Sequence, residues 1–172
     1  MDGAGVTGSM ATMLSPRTRR ALTVVHIVAG VAVIGDVWGL ALMHMAASAS
    51  GSLPVGRAAF RFTSLMVSAG GVPLSLISLV TGLVLAILGG WGLRRPWVLL
   101  KLCIQLAIIA TGALFIGPVL RQAPGAADLT QSHRTLVMLM AVQGSLLLVA
   151  TVLAVYKPGG RRRPPRTAAD PA

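Results

Sequence analysis

Five side chains able to move protons or hold a cation lie inside long apolar runs of the sequence: His26, Asp36, His44, Lys101 and His133. An ionisable group buried in hydrocarbon is costly, so each needs a partner, a cavity or a route to water. Lys101 and Gln105 are one helical turn apart on one face, which makes that face polar and inward-pointing. At 1.5 Å per residue, His26 lies about 8 Å and Lys101 about 6 Å from the cytoplasmic ends of their helices, at matching depth. Two readings of Lys101 stand: its stem snorkels to the headgroups, or its amine serves an inner polar site with His26. His26 is expected as a neutral imidazole bonded to a carbonyl or to Gln105.

His44 follows His26 by five turns and shares its face about 27 Å away, so the two cannot hold one ion. His133, at the start of the last apolar run, is on the same side as His44, and the two form a geometrically allowed outer metal-ligand pair. The plainer expectation is a pair of interfacial histidines open to headgroups and water. Asp36, near mid-membrane, is expected to hydrogen-bond Gln143 at similar depth, either as glue between helices or as a proton-relay group.

Apolar side chains make up 55% of the 172 residues, which leaves too little polar surface to cover a water-soluble globule. Runs of the roughly 20 residues needed to cross a bilayer occur at 21–47, roughly 60–89, 97–120 and about 132–156. The fold class is therefore all-α, an integral membrane four-helix bundle over 17–157, between a disordered tail at 1–16 and a disordered basic tail at 158–172. A net charge of +11 would suggest nucleic acid in a soluble protein, but here the arginines lack interleaved aromatics and their distribution sets orientation. Arg17, Arg19 and Arg20, then Arg94 and Arg95, then the cluster from Lys157 to Arg166 fall on one side, against Arg57, Arg61, Arg121 and Arg134 on the other. The positive-inside rule places both termini in the cytoplasm, in the inner membrane; the basic tail could also touch anionic lipid. The first run is too long for a secretory leader and is expected to be retained. The lone Cys103 excludes a disulfide framework.

Between the runs, Gly51, Pro54 and Gly56 suggest turns, Gly70, Gly71 and Pro73 a kink, and Gly89, Gly90 and Pro96 a break flanked by Trp91 and Trp97. Asp128 with Gln131 three residues later reads as a capping box, starting the last helix near Leu129. Gly35 with Gly39, Gly82 with Ala86 and Ala150 with Ala154 read as small-residue bundle contacts.

With His26, Gly35, Trp38 and Gly39 on the first helix and Trp97, Lys101 and Leu102 opening the third, the chain resembles a bacterial family of predicted integral membrane proteins of unknown function. More distantly it is similar to the haem-binding membrane protoporphyrinogen oxidase and to the membrane domain of copper-resistance protein D. The resemblance spans roughly residues 20 to 156 and implies a first-helix histidine and a third-helix lysine serving haem b, here His26 and Lys101 with Gln105 beside them; copper would fall to His44 and His133 with Met43 and Met45. Three expectations follow: a haem-binding redox protein, a non-enzymatic accessory or self-associating bundle, and a small metal or proton permease working through Asp36.

Overall fold

Sequence alone places four helices in this chain, and four run through the computed structural model, which describes residues 14–88 and 95–156. They are α1 (Pro16–Ala49), α2 (Leu53–Leu88), α3 (Pro96–Gly125) and α4 (Thr130–Tyr156), each long and apolar enough to cross a membrane. The expected disorder of the tails and the position of Trp91 lie outside the described residues.

Local chemistry fixes the helix ends. Pro16 opens α1 behind Ser15, whose Oγ accepts from the Thr18 N–H at 3.2 Å, the usual division of labour between a capping oxygen and a proline that needs no donor. The connection from α1 to α2 is far tighter than the sequence suggests: Gly51 alone takes a left-handed turn, at φ 63°. Pro54 and Gly56 belong to the first turns of α2, which begins at Leu53 rather than near residue 60. A proline is tolerated there because those N–H groups have no partner within the helix. The Asp128 Oδ1 accepts from the Thr130 N–H at 2.8 Å and caps α4, as the sequence implies.

Both mid-membrane helices that contain proline widen ahead of it. Val67–Gly71 in α2 and Gly112–Ile116 in α3 form π turns, closed by Val72 N–H on the Val67 carbonyl and Gly117 N–H on the Gly112 carbonyl. Pro73 and Pro118 follow each turn by two residues. A proline ring collides with the carbonyl four residues back and offers no N–H, and one extra residue in the turn relieves both problems. The kink expected around Gly70, Gly71 and Pro73 is therefore a local widening of α2.

The helices close a ring in which α1 lies against α2 and α4, and α3 against α4 and α2. Val33, Val37, Leu40 and Ala41 of α1 meet Ile104 and Ile108 of α3 and Met140 and Leu147 of α4 in a central core. Phe60 of α2, Ile116 and Ala123 of α3, and Leu129 and Leu136 at the start of α4 form a second core at the end of the bundle that carries the α1–α2 and α3–α4 connections, the outer end in the orientation expected from the sequence. The opposite faces carry exposed Val31, Leu114 and Met138, the pattern of a bundle whose solvent is lipid. Gly35 and Gly39 lie on an outer face of α1, where an added Cβ would meet nothing within 4 Å. Their expected role within the bundle is thus corrected: α1 packs through the face of Val33, Val37 and Leu40, and the two glycines fall off it.

Candidate functional site

Every ionisable side chain of α1 within the apolar span faces α2. At the inner level the Nδ1–H of His26 donates to the Ser78 carbonyl at 3.0 Å and reaches the Thr81 hydroxyl at 3.2 Å. Thr81 gives its own proton to the Ile77 carbonyl at 2.6 Å, so it too accepts from the imidazole. The ring fits there because residue 82 is glycine: a Cβ at Gly82 would lie 2.9 Å from His26 Cε1. Of the two partners expected for His26, a carbonyl and Gln105, the structure has the carbonyl.

Gln105 turns to the same stretch of α2, with Nε2 donating to the Ser75 carbonyl at 3.4 Å. Lys101 is half-buried one turn before it on α3. His26 and Gln105 thus converge on residues 75–82, with Lys101 one turn from Gln105 on α3, although no two of the three are hydrogen-bonded to each other among the described contacts.

At mid-membrane Asp36 is half-buried against the widened turn of α2, its Oδ2 3.1 Å from the place a Cβ on Gly71 would take. The expected bond to Gln143 is not formed. Gln143 is buried on α4 and donates instead to the Ile108 carbonyl of α3 at 3.0 Å. The backbone of α3 supplies the acceptor that sequence reasoning assigned to Asp36; a carbonyl acceptor leaves no trace in side-chain type.

The outer level departs most from expectation. His44 and His133 are not interfacial: they retain 0% and 3% of their exposure, and their Nδ1 atoms are 2.8 Å apart. His44 Nε2 is 2.8 Å from Thr63 Oγ1, and the Thr63 hydroxyl donates to the Ala59 carbonyl at 2.9 Å. A hydroxyl has one proton to give, so Thr63 accepts from His44 Nε2–H. The neutral His44 therefore presents a bare Nδ1, and His133 Nδ1–H donates to it. Phe60 closes the cluster, its ring centroid 4.9 Å from that of His44 and 4.7 Å from that of His133. Sequence reasoning missed Thr63, Phe60 and Gly56 here; a threonine four residues from a glycine-poor stretch gives no signal until α2 is known to begin at Leu53.

This geometry does not make a metal centre of His44 and His133. Two nitrogens bound tetrahedrally to one ion at about 2.0–2.1 Å each stand more than about 3 Å apart, and these two are joined by a hydrogen bond. Among the described residues no group of three His, Cys, Asp or Glu side chains could hold a metal ion.

Four helices, four apolar spans and buried polar contacts that run from helix to helix describe a membrane protein, and the sequence comparison agrees. The profile of a family described as predicted integral membrane protein (DUF2269) matches residues 20–158. The chain belongs to that family. No curated protein and no solved structure matched it. The DUF2269 match covers α2, α3 and α4 whole and α1 from its fifth residue, and includes every polar residue of the seam. In this DUF2269 chain the antiparallel seam between α1 and α2 is the polar locus: His44 opposite Thr63, Asp36 opposite Gly71, and His26 opposite Ser78, Thr81 and Gly82.

Proposed function

We propose that this DUF2269 protein handles protons across the bilayer, along the seam between α1 and α2. The observation that carries the reading is that His26, Asp36 and His44 all face α2, each with a glycine or a hydroxyl of α2 beside its polar atoms. At 1.5 Å per residue the steps along α1 are about 15 Å from His26 to Asp36 and about 12 Å from Asp36 to His44, lengths that water chains bridge. Titratable groups held at successive depths, away from lipid, are the usual makings of a proton relay. Asp36 stands beside the π turn, and such turns are concentrated at functional sites. On the Lys and Arg distribution we place both termini in the cytoplasm and the protein in the inner membrane, with the basic segment after α4 at anionic headgroups.

Vesicles containing the purified protein and a pH-sensitive dye test the reading. A pH step across the membrane is expected to collapse faster than in empty vesicles, and Asp36→Asn to slow that collapse at least tenfold. Collapse no faster than in empty vesicles overturns it.

A second reading rests on the convergence of His26 and Gln105 on residues 75–82, with Lys101 one turn from Gln105. Holding Nδ1–H on the Ser78 carbonyl leaves Nε2 as the basic nitrogen of His26, the tautomer an axial haem ligand needs. Lys101 would pair a propionate, and haem would supply one-electron transfer. Close packing of the ring on Gly82 excludes a macrocycle from the α2 side, so any approach is from α3. Reconstitution with haem is expected to give a Soret band that His26→Ala abolishes; no uptake removes this reading.

A further inference from the structure

We propose that His44 and His133 together hold a single proton beyond neutrality, shared between their Nδ1 atoms, and that this one-proton store is the outer terminus of the α1–α2 seam. The inference deepens the proton reading above.

The hydrogen-bond chain sets the capacity. In the neutral pair the order is His133 Nδ1–H to His44 Nδ1, His44 Nε2–H to Thr63, and Thr63 hydroxyl to the Ala59 carbonyl. A proton arriving from outer water binds the basic Nε2 of His133; the Nδ1 proton between the rings is then shared with His44, and no other bond changes. The shared N–H–N contact becomes charge-assisted, the stronger kind of hydrogen bond. A second proton would put N–H on both Nδ1 atoms, directed at each other across 2.8 Å, so uptake stops at one. Nor can the proton run on through Thr63, because that arm ends on a main-chain carbonyl, which cannot pass a proton further. The pair stores and returns; inward transfer requires the His44 ring to leave its partner.

Access is set by Gly56. A Cβ at that position would lie 3.1 Å from His133 Nε2 and 2.8 Å from Leu129 Cδ1, so only glycine there leaves room beside the Nε2 edge of a ring that keeps 3% of its exposure. Gly56 is one turn into α2 from Ser52, about 6 Å along the helix from the outer loop. The groups in contact with the pair are neutral: Phe60 against both rings and the Thr63 hydroxyl on His44. The charged side chains of the elements around it, Arg57 and Arg61 on α2, Arg121 on α3, and Asp128 and Arg134 at the start of α4, are all exposed. Among the described residues on α1, the nearest titratable group is Asp36, about 12 Å deeper. No carboxylate is therefore buried with the pair to drive a second protonation.

The test is a pH titration of the full-length protein in lipid nanodiscs with nitrogen-15-labelled histidine. The rings of His44 and His133 are expected to titrate together with one proton taken up between them, and His44→Gln to shift the midpoint of His133 by at least one pH unit. Two independent one-proton titrations, or a His133 midpoint unmoved by His44→Gln, overturn the proposal; the wild-type titration decides even if the variant does not fold. In vesicles, Gly56→Ala is expected to slow proton flux at least tenfold. Flux without the shared titration sinks the store and leaves the seam reading standing. The shared titration without flux sinks the seam reading and leaves the store.

Discussion

Asp36 and Gly71 face each other across the α1–α2 seam, the carboxylate Oδ2 3.1 Å from where a Cβ on Gly71 would stand. The absence of a side chain on α2 is thus part of the Asp36 environment. Gly71→Ala places a methyl group against that carboxylate and is expected to reduce proton flux several-fold, while Asp36→Asn, which keeps the shape, leaves the assembled protein intact. Vesicle flux and size-exclusion profiles in detergent check both halves; flux unchanged in Gly71→Ala would mean the carboxylate does not work from this place.

Glycines of this chain should divide sharply by position. Gly82→Ala drives a Cβ to within 2.9 Å of His26 Cε1 and is expected to destabilise by about 1–3 kcal/mol, the cost of overpacking. Gly35→Ala and Gly39→Ala meet nothing within 4 Å and should stay within about 0.5 kcal/mol of the parent. Denaturant unfolding in detergent separates the two classes. Equal losses at all three would indicate that α1 packs by a face other than the one described.

Thr63→Val keeps the shape of the residue and removes the acceptor for His44 Nε2–H, leaving a buried donor unsatisfied. A cost of about 1 kcal/mol is expected, since interhelical hydrogen bonds in membranes average about 0.6 kcal/mol and a stranded donor costs more than the bond it lost. Thr63→Ser should recover most of it. A Thr63→Val protein as stable as the parent would show that His44 finds another partner.

Asp128 lies outside the spans, and its bonds to Thr130, the backbone N–H first, hold its carboxyl below the usual carboxylate range. A group with a depressed folded-state pKa contributes above its unfolded value and loses that contribution as pH falls through the folded one. The first turn of α4 should therefore exchange its amide hydrogens faster, relative to mid-helix amides, below about pH 4, and Asp128→Ala should make that turn equally labile at neutral pH. Hydrogen exchange resolved at residues 130–133 reads it directly.

Helix number was legible in the sequence, because the length of an apolar run is read along one chain. The partner of His26 was legible only as one of two, a carbonyl or Gln105, and the Ser78 carbonyl is the one it has. What sequence could not supply was the helix opposite. The start of α2 was placed near residue 60 since Pro54 and Gly56 look like turn residues, and with that start Thr63 has no neighbour to bond. Gln143 was paired with Asp36 on depth alone, yet the Ile108 carbonyl was nearer, and backbone acceptors are invisible in composition. His44 and His133 read as interfacial because each stands near a helix end; what buries them includes the Phe60 ring and the close approach of α2 at Gly56.

The widened turn at Val67–Gly71 also acts on everything beyond it. Gly82 comes nineteen positions after Thr63, and at about 100° per residue an unbroken α-helix would aim the two about 100° apart. The surplus residue of the π turn cancels that offset, so Thr63 and Gly82 look the same way while the regular α1 presents His44 and His26 five whole turns apart. The proline of α2 thereby keeps two helices of different winding in phase from one leaflet to the other. Rewinding Val67–Gly71 as regular α-helix with every residue kept would swing the Gly82 half of α2 by somewhat more than a quarter-turn and part His26 from Ser78, though no atom near that histidine had been changed.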